Sequence, residues 1–521
     1  MPVRAKLIIA ACAAAALSLR LYQLARPGYL FGVTEYDDGV LFGNTLRLVS
    51  GVIPYRDFAM VQPPGSMLLM APAALLAKIT GTAWGLAAAR LLTACADTAN
   101  VVLLGVLVRH RGPVTVGVAC GGYAVYPDAI AAAHTFLLEP WLNLFCLAAA
   151  AVIFDGDRLA ATSTSRLAWG GAAFGFAAAV KIWALVPLGV AAALVAGTAP
   201  PARRRLRAAA TLAGGAALGL CLPLLPFVAL APGAVARGVV IGQEVRNAAG
   251  GGTPLLRRLT DLSGLLDLLP VRVPEGTALL AIGTLAAGCC AAAYLIARRL
   301  PPALDAYALT GAVAVTAMFL WPRLYYSHYG AFDAPFLVLA VALPAGLLSA
   351  RLSALPDRPA RRAGPRLAAA LLGLLLVAAG ILQFQAESRL RGIPVPAAAD
   401  RLIPAGACVV TNDVAYTVTA DRFYSRVRDC PQMVDSFGTL FAMTSGRSRH
   451  ATAAALHPVT ELWQANLERA DYVWLTSGTS GQIPWTRQLR SYFRGHFRLI
   501  ALGWSHWSSQ LLPRPGLYAR R

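Results

Sequence analysis

The run Glu35-Tyr36-Asp37-Asp38-Gly39-Val40-Leu41-Phe42, continuing through Arg47 to Gln62-Pro63-Pro64-Gly65, comes directly after a first apolar span and precedes a second apolar block. Glu35, Asp37 and Asp38 repel one another at the edge of a low-dielectric region, so they need a partner or a task. Behind them Phe42, Leu46 and Val49 recur on one helical face, with Asn44 and Arg47 opposite. That spacing suits a helix lying in a membrane interface. Ile53-Pro54-Tyr55 and Gln62-Pro63-Pro64 then break the chain.

The composition states what surrounds this loop. The chain has 521 residues, 57% hydrophobic and 14% charged, with mean hydropathy +0.58. A soluble chain would carry about 25% charged residues. Several stretches reach the roughly 18–20 apolar residues needed to cross a bilayer. A polytopic α-helical membrane protein is expected. The net charge of +21 does not point to nucleic acid, because arginine clusters fall in alternate short loops, the positive-inside pattern. Lysine occurs only at Lys6, Lys78 and Lys181, a bias that fits a GC-rich genome better than a function. Of nine cysteines, seven lie in apolar spans and read as small packing residues, leaving Cys408 and Cys430 in a polar region. There is no C-x-x-C metal spacing.

In chain order, Leu7–Leu24 reads as a retained first helix with the amino terminus in the cytoplasm, lacking a small-x-small cleavage site. Residues 25–83 form a first outer loop, in which Ser66–Ile79 is short, contains Pro72 and Lys78, and reads as juxtamembrane or re-entrant. Further spans are expected at 84–107, 113–133, 135–154, 167–180, 182–197, 208–230, 277–297, 303–320, 330–349 and 367–386, about eleven helices in all. The pair 167–180 and 182–197 is read as a hairpin because that keeps the arginine clusters inside; one long helix would invert every later span. A long outer loop, 231–276, carries Gly250-Gly251-Gly252 and reads as a gate or as a plain linker. From 387 to 521 the composition turns to that of a small extracytoplasmic α/β domain. Strands are expected at Ala407–Thr411 and Asp471–Leu475, helices at Asp413–Ala420 and Trp485–Phe493. In the oxidising space outside an inner membrane, Cys408 and Cys430 are expected to form a disulfide.

Four groups could carry chemistry, and all fall on the predicted outer side. Asp37 and Asp38 are the first; an acid at a helix start can instead accept the orphan amides of the first turn. Glu139, before Pro140 and Trp141 at the outer end of a span, needs a cation, an internal hydrogen bond or a cavity. Lys181, in Ala179-Val180-Lys181-Ile182-Trp183, could snorkel to headgroups or bind a ligand phosphate. Arg323 and His328, among Tyr325, Tyr326 and Tyr329, read either as part of an aromatic belt or as groups holding phosphate and sugar hydroxyls.

Taken together, Asp37-Asp38, the helix Val40–Val49, Gly51-Val52-Ile53-Pro54-Tyr55 and Gln62-Pro63-Pro64 resemble the GT-C glycosyltransferase superfamily, which includes protein O-mannosyltransferases, the lipid A aminoarabinose transferase and actinobacterial mannosyl- and arabinosyltransferases. Glu139-Pro140 looks like its second acidic position and Ala179-Val180-Lys181 like its recurring lysine segment. The resemblance covers residues 1–345. It implies a catalytic membrane domain over 1–386 in a bacterial inner membrane. There a mannose- or arabinose-type sugar would pass from a polyprenyl-phosphate donor to a hydroxyl of a glycan, lipid or protein, with inversion, in cell-envelope synthesis. By that resemblance Asp37 is the base, Asp38, Glu139, Tyr55 and Gln62 line the substrates, and Lys181, Arg323 and His328 meet donor phosphate or sugar. A divalent cation, Mg or Mn, stays open, with Asp37 and Glu139 its ligands if present. Rival readings are a lipid-linked-sugar flippase and an inactive scaffold of the same fold.

Overall fold

The computed structural model describes residues 3–198, 202–242, 252–264, 275–353, 359–393, 397–444, 453–476, 482–502 and 513–521. Among them, seven helices are long and apolar enough to cross a membrane: Val3–Leu24, Thr82–Arg111, Ala202–Leu230, Leu279–Ala297, Ala303–Leu320, Ser327–Leu352 and Ala369–Arg389. Shorter apolar helices include Gly65–Thr80, Glu139–Ile153 and Ile182–Gly197. The protein is a mostly helical, multi-pass membrane protein.

The sequence reading counts about eleven spans, and the difference lies in where helices break. The stretch 113–133 divides into Pro113–Ala124 and Pro127–Ala133, since a proline cannot continue the hydrogen-bond ladder of the preceding turn. The stretch 135–154 becomes helical only at Glu139. Helix Thr164–Val180 ends at Lys181, whose extended backbone (φ −155°, ψ 131°) separates it from Ile182–Ala184 and Leu185–Thr198.

Packing divides the chain into two compact units. The first comprises Met1–Leu24, Leu92–Pro223 and Gly252–Leu390, the second Ala25–Leu91, Leu224–Gly251 and Arg391–Arg521. The sequence reading draws a single boundary at 386/387; the packing groups the first loop with the carboxyl-terminal segment instead.

In the first unit a mostly helical core is tied together by polar groups that lipid could not satisfy. Arg20 is wholly buried, donates to Asp97 at 2.5 Å and to the Ala16 and Ala124 carbonyls, and so fixes the first helix. Tyr123 and Asn100 complete the shell of Asp97. Such a pair inside apolar helices needs this degree of hydrogen bonding to offset its desolvation. Arg258, buried in helix Leu255–Ser263, donates to the carbonyls of Phe319, Leu320, Pro322 and Arg323. That part of the 231–276 loop is therefore pinned. Gly250 and Gly251 lie outside the described residues.

The second unit is built on a four-stranded sheet in the order Val409–Thr411, Tyr472–Leu475, Gly516–Arg520, Phe497–Leu502, the first pair parallel and the others antiparallel. Val410, Val473 and Tyr518 point to one face, against Trp463, Leu467, Leu489 and Phe493. Val409, Trp474 and Leu517 point to the other, against Ala399, Ile403 and Ala420. A strand covered on both faces reads as a continuous apolar run, as Cys408–Val410 and Tyr472–Leu475 do. Cys408 and Cys430 are joined by a disulfide. Val33 pairs with Ile393, which ties the first loop to this unit.

Candidate active site

In the second unit, helix Tyr36–Val49 starts with the acids in its first turn, where the partial positive charge of the helix terminus favours them. Glu35 occupies the N-cap position in extended conformation without a side-chain cap bond. Consecutive residues on a helix diverge by about 100°, and here the two aspartates have different fates. Asp38 is fully buried on Arg90, which donates to it through Nε at 3.0 Å and through Nη2. Arg90 also holds the carbonyls of Tyr29 and Leu30, at 2.6 and 2.8 Å. Asp37 is only partly buried, and among the described residues it has no hydrogen bond or ion pair. Gly39 lets the helix lie directly on Val414–Thr419: a Cβ there would come within 2.4 Å of Ala415 Cα.

Asp413, which caps that second helix through Ala415 N at 3.1 Å, belongs to the same acidic surroundings. Burial, then the charges of Asp38, Glu35 and Asp37, push its carboxyl up to about 7. Tyr36 donates its hydroxyl to Asp435 at 3.1 Å; burial first, then the Asp435 charge, push its phenol well above the ordinary range. Tyr55 is buried in left-handed backbone (φ 66°), its hydroxyl donating to the Gln62 carbonyl at 2.6 Å and its ring edge-on to Phe227. Such backbone costs about 1–3 kcal/mol and persists only where the surroundings over-determine it.

In the first unit, the break at Lys181 and the helix start at Glu139 bring those two side chains together. Lys181 Nζ lies 2.7 Å from Glu139 Oε1, 3.4 Å over the Trp183 ring and 5.1 Å from the Tyr329 ring. His328 Nε2 is 4.0 Å from the same carboxylate oxygen. Glu139 Oε2 is buried without a hydrogen bond among the described residues. The ammonium is thus a fixed, mostly dry cation walled by aromatic faces, which strengthens its field. Arg323 is exposed; its carbonyl accepts from Arg258, and its side chain makes no described contact.

Of the residues singled out from sequence, Glu139, Lys181 and His328 form one cluster. Asp37, Asp38, Tyr55 and Gln62 lie in the other unit, Tyr55 and Gln62 hydrogen-bonded to each other. Sequence reasoning missed Arg90 and Asp413. Arg90 had a signal, a charge inside the apolar stretch Trp84–Val108 that must be paired. Asp413 had none beyond that of any acid opening a helix. No three His, Cys, Asp or Glu side chains gather as metal ligands among the described residues. No step of the proposed reaction is routed through a divalent cation.

Similarity to solved structures covers nearly the whole chain. It is similar to ArnT from Cupriavidus metallidurans bound to undecaprenyl phosphate, at a TM-score of 0.59 and 14% identity over 98% of this chain and 97% of that one. The fold is GT-C. The GT-C likeness extends to the Archaeoglobus fulgidus oligosaccharyltransferase in its apo form (TM-score 0.52, 14% identity, 90% of this chain and 69% of that one). It extends also to AglB from the same archaeon in complex with an inhibitory peptide and a dolichol-phosphate (TM-score 0.50, 12% identity, 91% and 70%). Neither a family model nor a curated protein matches the sequence.

Proposed function

We propose that the protein is a polyprenyl-phosphate-dependent glycosyltransferase whose base is Asp37, acting at the outer face of a bacterial inner membrane, with the shorter helices completing its spans. The observation that carries this is the contrast between the neighbouring acids on a GT-C fold: Asp38 is spent on Arg90, whereas Asp37 has an open carboxylate at a helix N-terminus. Two GT-C neighbours are described with undecaprenyl phosphate and with a dolichol-phosphate, which supports a lipid-phosphate donor.

In the transfer, the acceptor hydroxyl attacks the anomeric carbon as the bond to the polyprenyl phosphate oxygen breaks, inverting that carbon. The hydroxyl proton passes to Asp37. Polyprenyl phosphate leaves as a stabilised anion and needs no strong acid. Within the other unit, Lys181, held by Glu139 and the Trp183 ring with His328 4.0 Å from the same carboxylate, is a fixed cation of the kind that suits a lipid phosphate. The sugar is proposed to be of mannose or arabinose type, the acceptor a hydroxyl of an envelope glycan, lipid or protein.

Incubating the purified protein with radiolabelled polyprenyl-phosphate mannose or arabinose and a membrane-envelope acceptor tests this. Release of polyprenyl phosphate with label in the acceptor is expected. Donor binding without release would refute the enzyme reading and favour a flippase or an inactive scaffold.

A further inference from the structure

Ten residues beyond Asp37, about 15 Å along the same helix, Arg47 borders a cavity of about 410 Å³ in the second unit. Its walls come from three separate stretches: the turn Tyr55–Met60, Arg237 with Gly238, and Pro431–Asp435. The volume lies in the range of small-ligand sites, roughly 300–1,000 Å³.

The charges around it do not cancel. Asp57 is taken by Arg56, at 2.7 and 2.9 Å, and by Ile53 N at 2.8 Å. Asp435 is taken by Gly438 N at 2.7 Å and by the Tyr36 hydroxyl. Arg47 donates through Nη1 to the Gln432 carbonyl at 2.5 Å and has its Cζ 4.5 Å from the Phe58 ring centroid, while its Nε is buried without a hydrogen bond. Arg237 is exposed and, among the described residues, has no hydrogen bond or ion pair. A half-buried guanidinium with an unmet donor is costly, and burial pulls its pKa below the ordinary arginine value. An oxyanion in the cavity would meet the exposed Arg237 guanidinium with a charge-assisted bond, in the field of the neighbouring Arg47. The Phe58 and Met60 side chains offer apolar wall to the rest of such a ligand, and the locked Tyr55 turn holds the wall in place before anything binds.

We propose that this cavity binds a phosphate or carboxylate carried by the acceptor saccharide, read by Arg47 and Arg237, with the acceptor extending along the helix toward Asp37. The inference rests on the glycosyltransferase reading and narrows its acceptor to an anionic glycan.

Calorimetric titration of the full-length protein in detergent micelles, with mannose 6-phosphate, trigalacturonate, maltotriose and inorganic phosphate as probes, tests it. The two anionic saccharides should bind at least about tenfold more tightly than maltotriose, the loss expected from one charge-assisted bond. Arg237→Gln, on an exposed residue with no described bond to lose, should erase most of that preference without changing thermal unfolding. Arg47→Gln should do the same, with some loss of stability from the freed Gln432 carbonyl. Equal binding of maltotriose, or a preference that survives both substitutions, overturns the proposal. Inorganic phosphate binding as tightly as mannose 6-phosphate overturns the acceptor part and leaves a free-anion site. Polyprenyl phosphate release is measured in parallel. Release without anion preference sinks this inference alone, whereas anion preference without release under any donor sinks the glycosyltransferase reading and the acceptor role with it, leaving only an anion-binding cavity.

Discussion

Asp37→Asn and Asp38→Asn are near-identical changes one residue apart, and the structure gives them opposite consequences. Asp37 has no partner to lose among the described residues, so its replacement forfeits only its interaction with the helix terminus, about 0.3–1 kcal/mol. A missing general base costs about 10²- to 10⁴-fold in rate, which at about 1.36 kcal/mol per decade is roughly 3–5 kcal/mol of barrier. Asp38→Asn keeps the shape but removes the counter-charge of a guanidinium that is itself 0% exposed. Breaking a buried pair from one side costs about 3–5 kcal/mol; the remaining amide oxygen can still accept one bond, so the lower end applies. Arg90 also anchors the Tyr29 and Leu30 carbonyls. The double replacement Asp38→Leu/Arg90→Leu should therefore recover only about a third of the loss, falling short by about 1 kcal/mol for each of the two orphaned carbonyls.

The assay pairs polyprenyl phosphate release with thermal unfolding in the same detergent. Expected are an inactive Asp37→Asn with near-native unfolding, and an Asp38→Asn that unfolds several degrees early while the surviving folded fraction retains turnover. A stable but dead Asp38→Asn beside an active Asp37→Asn would exchange the two roles and refute the reasoning.

Asp413 makes a pH prediction. Its carboxyl is raised to about 7 in the folded chain from an ordinary 3.8, so it contributes stability fully below about 4 and loses it as pH rises through 7. Asp413→Asn, which keeps the cap, should flatten that slope in unfolding scans between pH 4 and 7; an unchanged slope would remove Asp413 as its cause. The Cys408–Cys430 disulfide closes a separation of 22 residues, worth about 3 kcal/mol by loop entropy. Both thiols should resist maleimide until reductant is added, and ready labelling beforehand would contradict the pairing. Lys181→Met should raise the donor KM by about tenfold or more through loss of a charge-assisted contact. Glu139→Gln, which leaves the ammonium over Trp183, should spare donor binding; equal KM effects would mean that the pair acts only as a structural unit.

The helical, lipid-spanning character of the chain was legible because it rests on composition and on runs of apolar residues, which need no knowledge of contacts. The strand segments at 409–411 and 472–475 were legible for the same reason, as was the break at Lys181, a lone ammonium in an apolar stretch. Span lengths were less so. Pro127 and the late helix start at Glu139 shorten two segments whose hydropathy reads as continuous. Pairing across distance was not legible at all: Arg90 and Asp38 are 52 residues apart, and Arg20 and Asp97 are 77 apart. Composition announces that each buried charge needs a counterpart, but only register decides which one it meets.

Register also decides which acid is left for chemistry. With about 100° between successive side chains, Arg90 can collect one of the neighbouring aspartates and must leave the other. The rotation of the helix that makes this choice is set one residue on, where Gly39 allows backbone contact with Ala415 and Asp38 turns inward to Arg90. A larger residue at 39 would push or turn the helix, and with it the direction of Asp37. The open carboxylate at 37 is thus defined less by its own residue type, which it shares with 38, than by a glycine that has no functional group at all.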